Sequence, residues 1–393
     1  MLFSQCGPQM FENPFSAGEI DRRIEALRTR LVGRHLAAAV IAAPENVFYL
    51  TGLDHWGYFA PHLLIVPVAG TPVLVTRAME WVTIEKQVRV AAFRGHSDSE
   101  TAADVAVRVL REMGLAGAPV GVEYWTAGLS HGLTLALTSG LEARWRDISG
   151  LVDDMRQVKS PEEIGFIRRA AAVSGVGADA AIAAIADGVS EREVAAACVA
   201  ATIRAGGQPP GFGPFIRPRS RLGEEHATWG DGRYRGGETV FLELSGCVAR
   251  YHAPLGRLVH LGVPPDEDTG MAELAGQAFD AVLAALRPGA RGRDVYAAWQ
   301  RVVDEAGLPH YRRHHCGYAV GIGCPPSWTG GNTVVGLRAD SELEIREGMT
   351  FHVLSWLMET GRGDGFFSNT VLVGPTGAEV LTRTARDREP LAE

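Results

Sequence analysis

Apolar runs separated by capping and turn signals divide the first 150 positions into alternating helices and strands. Ser16 and Glu19 form an S-x-x-E capping box, which predicts a helix of about 15 residues that ends near Gly33. Four apolar runs bounded by turn residues predict strands, and they lie at 36–43, 47–50, 63–68 and 73–75. A helical period over 101–113 and an apolar run at 120–123 continue the alternation. The pattern favours an α/β domain.

A second domain is predicted to begin at the next strong capping signal. Ser160, Pro161 and Glu163 supply an N-cap, a proline in the first helical turn and a capping-box glutamate. A long helix to about residue 186 should follow, and a second helix should begin after Ser190. We therefore divide the chain into domains 1–158 and 159–393.

The second domain shows an internal repeat. A pair of helices precedes a strand group, and a second pair, predicted at 267–286 and 292–306, precedes another strand group at 348–373. With the first domain, this organisation gives an α+β protein.

Composition excludes several classes of partner. The formal net charge is −8, so there is no basic surface excess for nucleic acid or an anionic membrane. No stretch approaches the ~18 apolar residues of a membrane span. Five cysteines without C-x-x-C spacing, and an N-terminus without a secretory pattern, predict a cytoplasmic protein.

Four segments of the second domain carry a resemblance to a known family. They read FLELSGCVARYHAPLGR (241–257), GYAVGIG (317–323), GMTFHVL (348–354) and FFSNTVLV (366–373). The chain resembles the creatinase, prolidase, aminopeptidase P and methionine aminopeptidase family. That resemblance implies a creatinase-like α/β domain followed by a pita-bread domain, in which a curved antiparallel sheet is backed by helices.

The resemblance also implies that the metal ligands of the family are missing. Metal-dependent members hold two cations with two Asp, one His and two Glu, and those five places are occupied here by Glu243, Pro254, Tyr318, Leu354 and Ser368. One carboxylate cannot hold two divalent ions that each need several donors. We therefore expect the metal-free branch of the family, without metal or other cofactor.

Two residues are predicted to be catalytic. His226 lies in a polar loop where metal-free members place a catalytic histidine, and it is the candidate general acid/base. Glu243 interrupts an apolar strand and should face a cleft. It could hold a cationic substrate or form an acyl intermediate; alternatively, it could form a structural ion pair with Arg250 or Arg257.

Six further residues are candidates for substrate binding. Trp56 and Tyr58 belong to an aromatic segment, DHWGYF (54–59), which could form a binding wall. His252, Tyr318 and His352 could contact substrate or be satisfied core groups. Glu359, or alternatively Asp364, could replace the carboxylate missing at Ser368. In dimeric relatives the first domain closes the partner's site, so the resemblance implies a homodimer.

Within the family, YLTGLDHWGYFAPH (49–62), EHATW (225–229) and GYAVGIGCPPSW (317–328) look most like ectoine hydrolase. The leading hypothesis is a metal-independent hydrolase that cleaves a C–N bond of a small polar metabolite. The alternatives are a lyase or cyclase on the same scaffold, a non-catalytic peptide-binding pseudo-peptidase, and a metallopeptidase with displaced ligands.

Overall fold

The computed structural model describes residues 12–330, 333–385 and 387, and these residues form two compact units that divide after Arg156. In the described residues no helix has the length and apolarity to cross a membrane.

The first unit is built around a mixed sheet with the strand order β4-β3-β2-β1-β5-β6. Its strands are β1 (Ala38–Ile41), β2 (Leu63–Pro67), β3 (Val73–Arg77), β4 (Ala92–His96), β5 (Pro119–Val122) and β6 (Arg144–Asp147). Its helices are α1 (Ala17–Gly33), α2 (Pro44–Thr51), α3 (Trp81–Gln87), α4 (Ala102–Glu112), α5 (His131–Gly140) and α6 (Leu151–Arg156). At the predicted N-cap of α1 the Ser16 hydroxyl accepts the Glu19 amide at 3.2 Å.

The strand predicted at 47–50 is wrong, because these residues belong to helix α2. Pro44 occupies its first turn, and Gly52, with φ of 73°, ends it in the left-handed conformation. Residues 46–51 are all buried, so the segment has no polar face that would reveal a helical period. An apolar run of this length fits a strand and a buried helix equally well.

The second unit has an antiparallel sheet with the order β10-β11-β12-β9-β8-β7, and β13 pairs with β12. The strands are β7 (Phe215–Pro218), β8 (Thr239–Val248), β9 (Tyr251–His260), β10 (Gly317–Ala319), β11 (Thr350–Leu357), β12 (Gly365–Val373) and β13 (Ala378–Val380). The helices are α7 (Pro161–Ala184), α8 (Glu191–Arg204), α9 (Asp266–Ala285) and α10 (Gly292–Glu305). The predicted capping boxes are complete at α7 and α8.

One face of this sheet is covered by the helices. Residues of α7 and α8 pack on Leu242 and Leu244 of β8, while residues of α9 and α10 pack on Phe351 and Val353 of β11. Each helix pair therefore covers one strand group, which is the internal repeat that the sequence predicts. Residues on the opposite face of the sheet, which include Phe241, Glu243 and Leu354, form what we call the site face.

Ser174 links α7 to the sheet at a point where the two backbones lie close together. Its hydroxyl accepts the Gly246 amide at 2.7 Å and lies 2.5 Å from the Ala253 carbonyl oxygen. A Cβ at residue 246 would collide with the backbone of Ala170, so the glycine permits this approach. The serine thus satisfies two backbone groups that water does not reach.

We expect Ser174→Ala to lower the free energy of unfolding by about 1–3 kcal/mol, because it leaves a buried amide and a buried carbonyl without a partner. Urea unfolding of the variant measures this loss. Ser139→Ala is the matched control: like Ser174, whose hydroxyl lies 3.0 Å from the Ala170 carbonyl oxygen, Ser139 contacts the carbonyl four residues back in a helix, but it is exposed. Its effect should stay within about 0.5 kcal/mol, and equal effects of the two variants would contradict the role of Ser174.

Candidate active site

A row of residues crosses the site face from one sheet edge towards the other. Strand pairing sets Leu354 of β11 opposite Ser368 of β12, and Ser368 opposite Gly256 of β9. The row continues from Gly256 to Glu243 of β8 and from Glu243 to Phe215 of β7. Because paired residues of a sheet point to the same side, these side chains share one surface.

Tyr318 and Pro254 lie in the adjacent row, where Tyr318 pairs with His352 and Pro254 pairs with Ser245. The five positions at which the sequence predicts lost ligands therefore lie in two neighbouring rows. They offer one carboxylate, and no group of three or more His, Cys, Asp or Glu in the described residues could hold a metal ion. The donor set does not fit a dinuclear metal site.

His352 is fully buried and uses both ring nitrogens. Its Nδ1 lies 2.8 Å from the Tyr318 hydroxyl, and its Nε2 lies 2.8 Å from the Ser368 hydroxyl. Burial lowers the pKa of His352 well below its usual range, so the ring is neutral at physiological pH. The Trp328 indole donates to the Tyr318 oxygen at 3.0 Å.

These contacts give the hydrogen-bond chain a direction. The Tyr318 oxygen accepts from Trp328, which is only a donor, and among the described residues its own proton has no hydrogen-bond acceptor besides Nδ1 of His352. We therefore assign the tyrosine proton to Nδ1. A neutral imidazole then carries its proton on Nε2 and donates it to Ser368. Burial also raises the pKa of Tyr318 well above its usual value, which keeps the phenol protonated.

Glu243 lies beside this chain without taking part in it. One carboxylate oxygen is 3.8 Å from Nδ1 of His352, and the side chain keeps 12% of its exposure. In the described structure it forms no ion pair with Arg250 or Arg257. Burial raises the pKa of Glu243 to about 7, while the positive charge of Arg217 opposes the shift. Such a group can accept or donate a proton near neutral pH.

His226 lies at the exposed side of the site, on the loop between β7 and β8. Its ring centroid is 5.8 Å from that of Phe215, the residue paired with Glu243. Its backbone is in the left-handed region, with φ of 58°, which is uncommon for a residue other than glycine. Phe215 therefore connects the two predicted catalytic residues in space.

Phe215 belongs to an aromatic wall that the sequence analysis did not identify. The ring centroids of Phe212 and Trp328 are 4.0 Å apart, and those of Phe212 and Phe215 are 4.9 Å apart. Trp328 ends the quoted stretch 317–328, but nothing in its sequence context shows that its indole donates to Tyr318. The wall forms by long-range packing, which a local pattern does not encode.

The other predicted residues have different surroundings. His252 is on the site face but fully buried, and its Nε2 accepts the Gly211 amide at 2.8 Å. It thereby holds the segment that presents Phe212. Glu359 lies beyond the end of β11 and borders a separate cavity of about 470 Å³ with Arg219 and Asp364. Asp364 pairs with Arg219 at 2.6 Å.

Trp56 and Tyr58 lie in the first unit. Trp56 is 58% exposed, while the Tyr58 hydroxyl donates to the Leu53 carbonyl at 2.9 Å and its ring packs on His55 and His62. The roles assigned to these two residues, as to His252 and Glu359, stay predictions.

Comparison with known proteins gives matches over most of the chain. The model of metallopeptidase family M24 matches residues 165–375, and that of the creatinase/prolidase N-terminal domain matches residues 23–158. An ectoine hydrolase of Halomonas elongata is 28% identical over 94% of this chain and 96% of its own length. An uncharacterised hydrolase/peptidase of Sinorhizobium fredii is 28% identical over 95% of this chain and 97% of its own length.

Solved structures of low sequence identity share the fold. The prolidase of Pyrococcus horikoshii superposes with a TM-score of 0.79 at 21% identity, covering 92% of this chain and 98% of that one. The expected arrangement, a creatinase-type N-terminal domain followed by a pita-bread domain, is confirmed.

Buried His252 should make stability depend on pH. Burial lowers its pKa to about 4, whereas the unfolded chain titrates near 6.5. The unfolded state therefore binds the proton first, so stability is full above pH 6.5 and is lost as pH falls towards 4. His252→Gln keeps an acceptor for Gly211 but does not titrate. From pH 7.5 to pH 4.5, the free energy of unfolding, measured with urea, should fall by roughly 2–3 kcal/mol more in the wild type than in the variant. Parallel pH profiles of the two proteins would contradict this role of His252.

Proposed function

The chain belongs to metallopeptidase family M24, and on that basis we propose that it is a hydrolase that cleaves a C–N bond of a small polar metabolite without a metal ion. The observation that carries the proposal is the pair of rows on the site face. A single carboxylate with a pKa of about 7, Glu243, stands there among neutral partners instead of a set of metal ligands. The name of the ectoine hydrolase relative supports a cyclic amidine, amide or N-substituted amino acid as substrate.

Hydrolysis of a C–N bond adds oxygen to carbon and a proton to nitrogen. In the proposed reaction Glu243 either attacks the carbon as a nucleophile, giving an acyl intermediate that water opens, or takes a proton from the water that attacks the carbon. His226 donates a proton to the departing nitrogen, and the proton released by the consumed water replaces it. The aromatic wall receives the apolar part of the substrate, and Tyr318 and His352 position the groups around it.

Glu243 and the wall favour a small substrate over a peptide-binding role. Burying a carboxylate so that its pKa rises to near neutral lowers the stability of the fold. A purely peptide-binding module gains nothing from such a group, whereas an enzyme can use it as an acid or base. Within a reducing cytoplasm, which we propose as its location, the buried thiols Cys198, Cys247, Cys316 and Cys324 would stay reduced.

We also propose a homodimer in which the first unit of one copy closes the site of the other. Two neighbouring segments of that unit expose aromatic side chains: Trp56 at 58%, Phe59 at 79% and Trp81 at 53%. The two segments that carry them are joined by His55 and Glu80, whose Nδ1 and Oε2 atoms are 3.3 Å apart. An exposed apolar group of this kind is typical of an interaction surface.

His226→Ala should lower kcat by about 10²–10⁴-fold, because the departing nitrogen loses its proton donor. His226→Asn is the sharper variant, since asparagine tolerates the left-handed backbone and removes only the imidazole. Turnover is measured with a panel of ectoine, a lactam and an N-acyl amino acid, and circular dichroism checks the fold. Near-wild-type rates in both variants would remove His226 from the mechanism.

Water labelled with ¹⁸O separates hydrolysis from a lyase or cyclase reaction, because only hydrolysis must place the label in the product. We expect one labelled oxygen per turnover. Rates should stay unchanged after dialysis against a chelator, and metal analysis should find less than one equivalent of metal. Loss of activity with the chelator and its return with a divalent ion would establish a metallopeptidase with displaced ligands.

The dimer is tested by mixing two inactive variants, His226→Ala and Trp56→Ala. If the partner's Trp56 completes each site, mixed dimers hold one intact site each, and activity should return to about a quarter of wild type. Trp125→Ala, which removes another exposed tryptophan of the first unit (72% exposed), serves as the control in place of Trp56→Ala and should be active by itself. Absence of complementation in a chain that sediments as a monomer would exclude the dimer.

A further inference from the structure

Arg217 is a buried arginine on the site face next to the proposed catalytic row. It lies on β7, two residues from Phe215, and pairs with Phe241, which stands two residues before Glu243. Arg217 is only 2% exposed, and its guanidinium carbon lies 4.6 Å from the Phe241 ring centroid. Burying a cation costs free energy unless hydrogen bonds or opposite charges compensate for the lost hydration.

The guanidinium donates its hydrogen bonds to backbone carbonyls of the loop that carries His226. Its Nε donates to the Arg221 carbonyl at 3.1 Å, and its Nη1 donates to the Ala227 carbonyl at 2.9 Å. Nη2 lies 3.4 Å from the Leu222 carbonyl oxygen. Arg217 thus holds residues 221–227 from both ends, and one of its acceptors directly follows His226.

The positive charge of Arg217 is not spent on a nearby carboxylate. In the described part of the chain Arg217 forms no ion pair within 4.0 Å, since all its hydrogen bonds go to backbone oxygens. Its charge instead acts at longer range on Glu243, Glu224 and Glu225, and the cation favours the ionised form of Glu243. Arg217 therefore binds the loop that carries His226 and, at longer range, stabilises the negative charge of Glu243.

We propose that Arg217 is a positioning residue, which fixes the His226 loop against the site face and supplies the cation beside which Glu243 ionises. This inference rests on the proposed roles of His226 and Glu243. A purely structural anchor needs only the hydrogen bonds, so the charge and the hydrogen-bonding fork have to be tested separately.

Two substitutions separate these properties. Arg217→Lys keeps the positive charge but replaces the fork by a point donor, whereas Arg217→Met keeps the apolar stem and removes both properties. Arg233→Met is the matched control: Arg233 also donates to a backbone carbonyl, that of Gly188 at 2.8 Å, but it is exposed and pairs with no residue of the rows.

Two readouts need no substrate. The first is the titration of Glu243, followed by its carboxyl infrared band with Glu243→Gln as the blank; Arg217→Met should move the midpoint to higher pH, and Arg217→Lys should leave it near the wild-type value. The second is limited trypsin cleavage after Arg219 and Arg221, which should be faster in both variants because the loop loses its anchor. Arg233→Met should behave as wild type in both experiments.

With a substrate found in the panel, kcat should fall about 10–100-fold in both variants, because a small displacement of His226 is sufficient for such a loss. The acidic limb of the pH–rate profile should shift to higher pH in Arg217→Met but not in Arg217→Lys. A folded Arg217→Met with an unmoved Glu243 titration and unchanged loop cleavage would overturn the proposal. If Arg217→Met does not fold, Arg217→Lys decides: unchanged loop cleavage and kcat overturn it. Should no compound be hydrolysed, the two substrate-free readouts still decide the role of Arg217, while the proposed function fails by itself.

Discussion

The complete burial of His352 between two hydroxyl groups is the constraint on which the site face depends. An imidazole without water must find a partner for each nitrogen or lose free energy comparable to a missing hydrogen bond. Tyr318 on β10 and Ser368 on β12 supply these partners from the two neighbouring strands. The two hydroxyls, at positions where the sequence predicts that metal ligands are missing, therefore give the buried neutral ring a hydrogen-bond partner on each side.

This neutral network determines what Glu243 can do. The hydrogen-bond chain runs from Trp328 through Tyr318 and His352 to Ser368, so none of the protons in these three bonds is donated to Glu243. The carboxylate is consequently stabilised by no hydrogen bond from a described residue, and burial dominates its titration. A pKa of about 7 follows from this isolation. A second carboxylate at residue 368 would bring a like charge into the same face and accept the proton of His352 Nε2, so a neutral serine at this position is consistent with the rest of the network.

Local signals in the sequence predict the helices well, because caps are local. Ser160 with Glu163 and Ser190 with Glu193 form their capping boxes as expected. The segment 47–50 forms a helix although its apolar run predicts a strand, since a helix buried on all sides has no polar face. The sequence also brings Glu243, Tyr318 and Ser368 together through the family resemblance. It does not reveal the contacts of Trp328, the aromatic wall or the acceptors of Arg217, because these depend on residues far apart in the chain.

The remaining question is which polar groups of the site face are available for chemistry, and their hydrogen-bond capacity answers it. Both ring nitrogens of His352 are hydrogen-bonded within the protein, and Nε2 of His252 accepts the Gly211 amide. Arg217 has spent its donors on the backbone of the His226 loop. Residue type alone does not separate these groups from Glu243, since all are polar residues on or beside the same rows. Glu243 differs because its two oxygens retain their accepting capacity, and a group with unspent capacity in a nearly dry site is the one that gains most from a substrate.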